Sequence, residues 1–223
     1  MGLYMRPMGK PKPGFERRFT EIFEMLSKNR IPQASFLEKL KGKKYPTRDE
    51  ILQEWFAIQI PTYETIGAPR VGRDKEADEW LRNKYDKSET NISLDEFLKN
   101  HEGYYVIELA KEQDGVPVYY SYGQDENVFR GQFLKDCISI IGKDLVNEAW
   151  ESKLANEAFE YGKKLMAVAD KIANEHHLEY LKAQRLPPDY EQGTIESNLH
   201  IVFSLAKWLI FYGKNGHGYE ADF

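Results

Sequence analysis

Residues 194–212 are apolar on nearly every side, and this constrains the fold more than any other feature of the chain. Leu199, Ile201, Val202, Phe203, Leu205, Trp208, Leu209 and Ile210 cannot share one stripe of a 3.6-residue helix, so a helix here must be surrounded. Lipid or protein could surround it. Glu196, Asn198, His200 and Lys207 fall within the same stretch, and a membrane span tolerates those poorly. The prediction is therefore a central helix, ended by Gly213 and buried by the rest of the chain. At 223 residues the chain can bury roughly 70% of the surface its unfolded form exposes, without disulfides or structural metal.

Most of what surrounds that helix also reads as helical. Phe15, Phe19, Ile22, Phe23 and Leu26 recur at helical spacing. A short helical piece follows Pro32, carrying Phe36, Leu37 and Leu40. Thr47-Arg-Asp-Glu50 is a capping box, opening a helix with Ile51, Leu52, Trp55 and Phe56 that Pro61 limits. Residues 61–73 read as an irregular loop, and a helix is expected from Asp74 to Tyr85. Ser93-Leu-Asp-Glu96 opens another short helix. After Asn127 come Phe129, Phe133, Cys137, Ile140 and Ile141 on one face with Gly142 as a stop, then Asp144–Ser152 and a long helix over Leu154–His176.

One stretch changes texture. Tyr104–Ala110 and Val116–Tyr122 are β-branched and aromatic runs separated by Lys-Glu-Gln-Asp-Gly, the pattern of a β-hairpin. The expected fold is mainly α (α+β): one multi-helix domain over 1–223 with a hairpin at about 103–122 packed on the helices. Within it, 1–13 read as an extended arm because of Pro7, Pro11 and Pro13, 14–100 as N-terminal helices, 127–212 as C-terminal helices, and 213–223 as a polar tail.

Charge and cysteine content exclude several chemistries. Net charge is 31 − 36 = −5, but residues 1–48 hold 12 Lys/Arg against 4 Asp/Glu while residues 49–223 hold 19 against 32. The acidic body disfavours nucleic acid, whose phosphates need concentrated positive potential, and suits a basic protein partner. A single cysteine excludes an intramolecular disulfide framework and multi-cysteine metal sites. Residues 1–14 lack the apolar run of a signal peptide. The expectation is a cytoplasmic protein with no cofactor.

The chemistry-bearing residues are few. Cys137 lies in phase with Phe133 and Ile141, beside Asp136 rather than a cation, so it reads as a core thiol and not a nucleophile. His176, His177, Glu196 and His200 form the best cluster for an enzyme. Glu196 and His200 stand one helical turn apart, yet the spacing of the four matches no established metal-ligand pattern, and none is assigned as a metal site. Arg70 and Arg73, in a Gly/Pro-rich loop before a helix, could hold an anion on the helix's free amides; the same residues also fit a plain turn with exposed arginines. Tyr104, Tyr105, Tyr119, Tyr120 and Tyr122 put phenols on both faces of the expected hairpin, a composition enriched at protein interfaces. Together these favour a soluble, non-catalytic interaction protein, of the immunity or antitoxin type, that neutralises a basic partner or self-associates. The alternative is a small enzyme whose site is assembled from scattered His and Glu residues.

Overall fold

The computed structural model describes residues 2–28, 30–32, 45–86, 91–120, 127–189 and 193–223. In chain order these form β1 (Tyr4–Pro7), β2 (Lys10–Pro11), α1 (Glu16–Ser27), α2 (Arg48–Ala57) and β3 (Gln59–Ile60). The chain continues through α3 (Thr62–Ile66), α4 (Lys75–Lys84), α5 (Leu94–Asn100) and β4 (Phe129–Arg130). It ends with α6 (Ile138–Glu148), α7 (Ala155–His176), α8 (Ile195–Lys214) and β5 (Tyr219–Asp222). The protein is mainly helical with small antiparallel sheets. The helical piece expected after Pro32, and Tyr122, lie outside the described residues.

Contacts divide the chain into two compact units, Gly9–Pro61 on one hand and Met1–Met8 with Thr62–Phe223 on the other. In the smaller unit Phe19 of α1 stacks on Trp55 of α2 with ring centroids 4.3 Å apart, and Ile22 and Ile51 are fully buried. Arg18 grips Glu54 with both ends of its fork, Nε to Oε1 at 2.7 Å and a terminal nitrogen to Oε2 at 2.6 Å. That bidentate bond holds the carboxyl of Glu54 below its ordinary range. The Thr47 capping box forms as expected: Glu50 N–H donates to Thr47 Oγ1 at 3.2 Å, and Thr47 N–H donates to Glu50 Oε2 at 2.7 Å.

The larger unit is built on α8. Leu199, Val202, Leu205, Ala206, Trp208 and Leu209 are all completely buried, and Phe203 is 1% exposed. Thr194 caps the helix by accepting from the N–H of Ser197. Against it lies α7, antiparallel and very close. A methyl group on Gly162 would stand 2.9 Å from Leu209 Cβ, and one on Gly213 would stand 2.7 Å from the carbonyl oxygen of Ala155. Gly213 thus sits inside the helix as a contact point; Asn215, not glycine, ends it. Gly142 does break its helix as expected, at φ 77° within α6. Around this pair pack the 3₁₀ turn Gly131–Cys137, α6 and the turn Glu179–Lys182.

Four features of this unit depart from the sequence pattern. The expected arm is the middle strand of a sheet ordered β4-β1-β5, with Met5 opposite both Phe129 and Ala221. Leu3 and Met5 face the core while Tyr4 and Arg6 are half-exposed, a period-two alternation too short to stand out beside three prolines. The expected polar tail supplies β5, and His217 and Tyr219 are buried. Residues 61–73 include the short helix α3, whose Ile66 is fully buried. Phe129 belongs to a strand, and the following turn runs as 3₁₀ before α6 begins.

The hairpin at 103–122 does not form among the described residues. Tyr105 bridges Arg70 instead, with Val106 N–H donating to Pro69 and Val71 N–H donating to Tyr104. Tyr120 bridges Phe129. Between them Ile107–Leu109 and Gln113–Gly115 coil as 3₁₀ turns. Val106 and Ile107 are consecutive and both buried, which a hairpin strand with one face open to solvent cannot achieve. Pro117, lacking an N–H, cannot donate to a ladder at its position.

Candidate functional site

The residues with chemistry gather around the first two-thirds of α8. His200 is 2% exposed. Its Nε2 lies 3.2 Å from the carbonyl oxygen of Gln184, which can only accept, so Nε2 carries the proton. Nδ1 is then the acceptor, and the Tyr119 hydroxyl donates to it at 2.8 Å. Burial pushes the His200 imidazole below its ordinary pKa and the Tyr119 phenol well above its own. Cys137 lies nearby, fully buried, its thiol 3.5 Å from the carbonyl of Asn198 and pushed up to about 12 by burial and then by Asp136. The Tyr119–His200–Gln184 chain is closed: each polar atom of the histidine already has a partner, so no free base faces a substrate.

The other members of the histidine cluster are not bonded to His200. His176 and His177 are exposed at the end of α7, where His177 adopts the left-handed conformation that stops the helix. Glu196 is half-buried in the first turn of α8. Among the described residues, no group of three or more His, Cys, Asp or Glu side chains is placed to hold a metal ion.

In the loop before α4, two backbone amides are bonded to carboxylates of the chain itself. Arg70 N–H donates to Asp74 and Gly72 N–H donates to Asp78, each at 2.8 Å. The Arg70 guanidinium donates to the carbonyl of Gly103 at 2.9 Å and lies over the Tyr105 ring. The Arg70 side chain is thus engaged within the chain, and Arg73 is exposed.

The tyrosines mostly face inward. Tyr105 stacks on Tyr63 at 4.4 Å, Tyr119 holds His200, and Tyr120 donates to Glu108 at 2.9 Å. Tyr104 keeps 38% of its surface exposed. A tyrosine-lined outer face therefore reduces to Tyr104 among the described residues, because the ribbon that would have presented the others is absent.

A cleft next to His200 was not anticipated. Asp114, Val116, Gln184, Arg185, Ser204 and Lys207 line it, and its inner cavity of about 20 Å³ has room for roughly one water. The one sequence signal was Lys207, a cation three residues after Ser204 on an otherwise apolar helix. Arg185 could not be placed beside it from spacing, because a connector intervenes. Among the described residues, no helix is long and apolar enough to cross a membrane. Comparison with protein families, curated proteins and solved structures finds no match to this chain.

Proposed function

We propose that this is a soluble, cytoplasmic, non-catalytic protein that binds a basic protein partner, in the manner of an immunity or antitoxin protein. The observation that carries the reading is charge: residues 49–223 hold 32 acidic against 19 basic side chains, and many of these carboxylates face solvent. Glu76, Glu79, Asp95, Glu96 and Glu102, on and beside α4 and α5, are all exposed. Such a surface steers a cationic partner and rejects acidic ones. The enclosed His200 and the buried, protonated Cys137 support the non-catalytic side of the reading. Tyr104, exposed close to Arg70, is an aromatic anchor available to such an interface.

The test is to cross-link the chain to its partner in cells, identify it, and titrate the two purified proteins calorimetrically. The expected partner is basic, and its affinity falls at least tenfold between about 50 and about 500 mM NaCl. The triple change Asp95→Asn, Glu96→Gln, Glu102→Gln weakens binding while leaving the melting temperature within a few degrees. A neutral or acidic partner, or binding indifferent to salt, overturns the proposal.

A further inference from the structure

We infer that the cleft between the 113–118 turn, residues 184–185 and the Ser204–Lys207 face of α8 binds a small oxyanion, a phosphate or carboxylate group held by Arg185 and Lys207. Both cations are half-buried, and among the described residues neither has a carboxylate within ion-pair distance. Other lysines of this unit are matched: Lys182 holds Asp170 at 2.8 Å, and Lys153 and Lys164 share Glu148. Two partly desolvated positive charges left side by side are costly unless something negative completes them.

The donors are also held in place. One terminal nitrogen of Arg185 donates to the carbonyls of Gln113 and Val116, which fixes the plane of the guanidinium. Nε and the other terminal nitrogen have no partner among the described residues, and this pair is the edge that meets an oxyanion bidentately. Lys207 Nζ is anchored by one bond, 3.1 Å to the carbonyl of Lys182, leaving two of its three protons to give. Ser204, one turn earlier on α8, brings a hydroxyl to the same wall. The inner cavity takes a single oxygen, so the rest of the group sits in the mouth.

Burial pushes both cations below their ordinary pKa, and Asp114 pulls them back up. Among the described residues, Asp114 is the one carboxylate lining the cleft; Glu108 reaches this region through its hydrogen bond from Tyr120. Asp114 would therefore compete with a bound oxyanion, and the test uses that competition.

Inorganic phosphate and, separately, acetate are titrated into nitrogen-15-labelled full-length protein at constant ionic strength, following the amides of 113–118, 184–185 and 204–207. The expected result is saturable shifts, weakened at least about tenfold by Lys207→Met and tightened a few-fold by Asp114→Asn. Saturation by phosphate alone assigns a phosphate ligand; saturation by both assigns a site for oxyanions generally. Shifts that stay linear for both anions, or equal affinity in wild type and Lys207→Met, overturn the inference. Should Lys207→Met fail to fold, Ser204→Ala and Asp114→Asn decide: unchanged affinity in both overturns it equally.

Discussion

Gly213→Ala tests the closest contact in the fold, and two opposing effects set its sign. Alanine is the better helix former by about 1 kcal/mol, so in an open helix the change would stabilise. Here the new methyl would stand 2.7 Å from the Ala155 carbonyl oxygen, the Phe159 backbone nitrogen and Phe159 Cβ. Two of those three atoms are backbone of α7 and cannot rotate away, so α7 and α8 must separate. Overpacking of this kind costs typically ~1–3 kcal/mol, and rigid neighbours place it at or above the upper end. The net expectation is a loss of roughly 2 kcal/mol or more, which in a chain of this size lowers the melting temperature by roughly 4–8 °C or more. Circular dichroism melts of wild type and variant measure it. Asn174→Ala, at an exposed position of α7, is the control and gains a few tenths of a kcal/mol from propensity alone. If Gly213→Ala melts at or above wild type, the helices do not approach this closely.

Three further outcomes are expected. Phe203→Ala removes a side chain only 1% exposed in the centre of α8 and costs about 3–5 kcal/mol; a melt within a degree or two of wild type would show that the helix is peripheral. The His200 imidazole has a folded-state pKa below its ordinary value, so the unfolded chain binds the proton first. Stability at this site is thus complete above about pH 6.5 and is lost as the pH falls toward the folded value, at up to about 1.4 kcal/mol per pH unit. His200→Asn should flatten the urea-denaturation midpoint between pH 7 and pH 5, and an unchanged slope would place the acid sensitivity elsewhere. Cys137, buried with its thiol pushed up to about 12, should ignore an aromatic disulfide reagent in the native protein and react fully in guanidinium. Rapid native labelling would mean that the thiol reaches solvent.

Local order was legible wherever a few neighbouring residues decide the outcome. The all-round apolarity of 194–212 needed no partner to be read, since any helix so composed must be enclosed. Thr47 and Glu50 close their capping box within four residues, and Gly142 breaks its helix through its own backbone. The tyrosine runs at 104–110 and 116–122 read as strands, yet among the described residues only Tyr105 and Tyr120 make bridges, because a strand's partner lies wherever the fold places a free edge. Val71, Pro69 and Arg130 won that competition over the opposite arm of the hairpin. The same holds for the site. Tyr119 and His200 meet across 81 positions and the two ends of the chain pair as β1 and β5, while Arg185 reaches the Lys207 wall by way of a connector. Spacing along a chain reports only what one helix or turn brings together; hydrogen-bond partners, burial and the loss of solvent around a charge belong to the packed structure, because each depends on atoms that the sequence holds far apart.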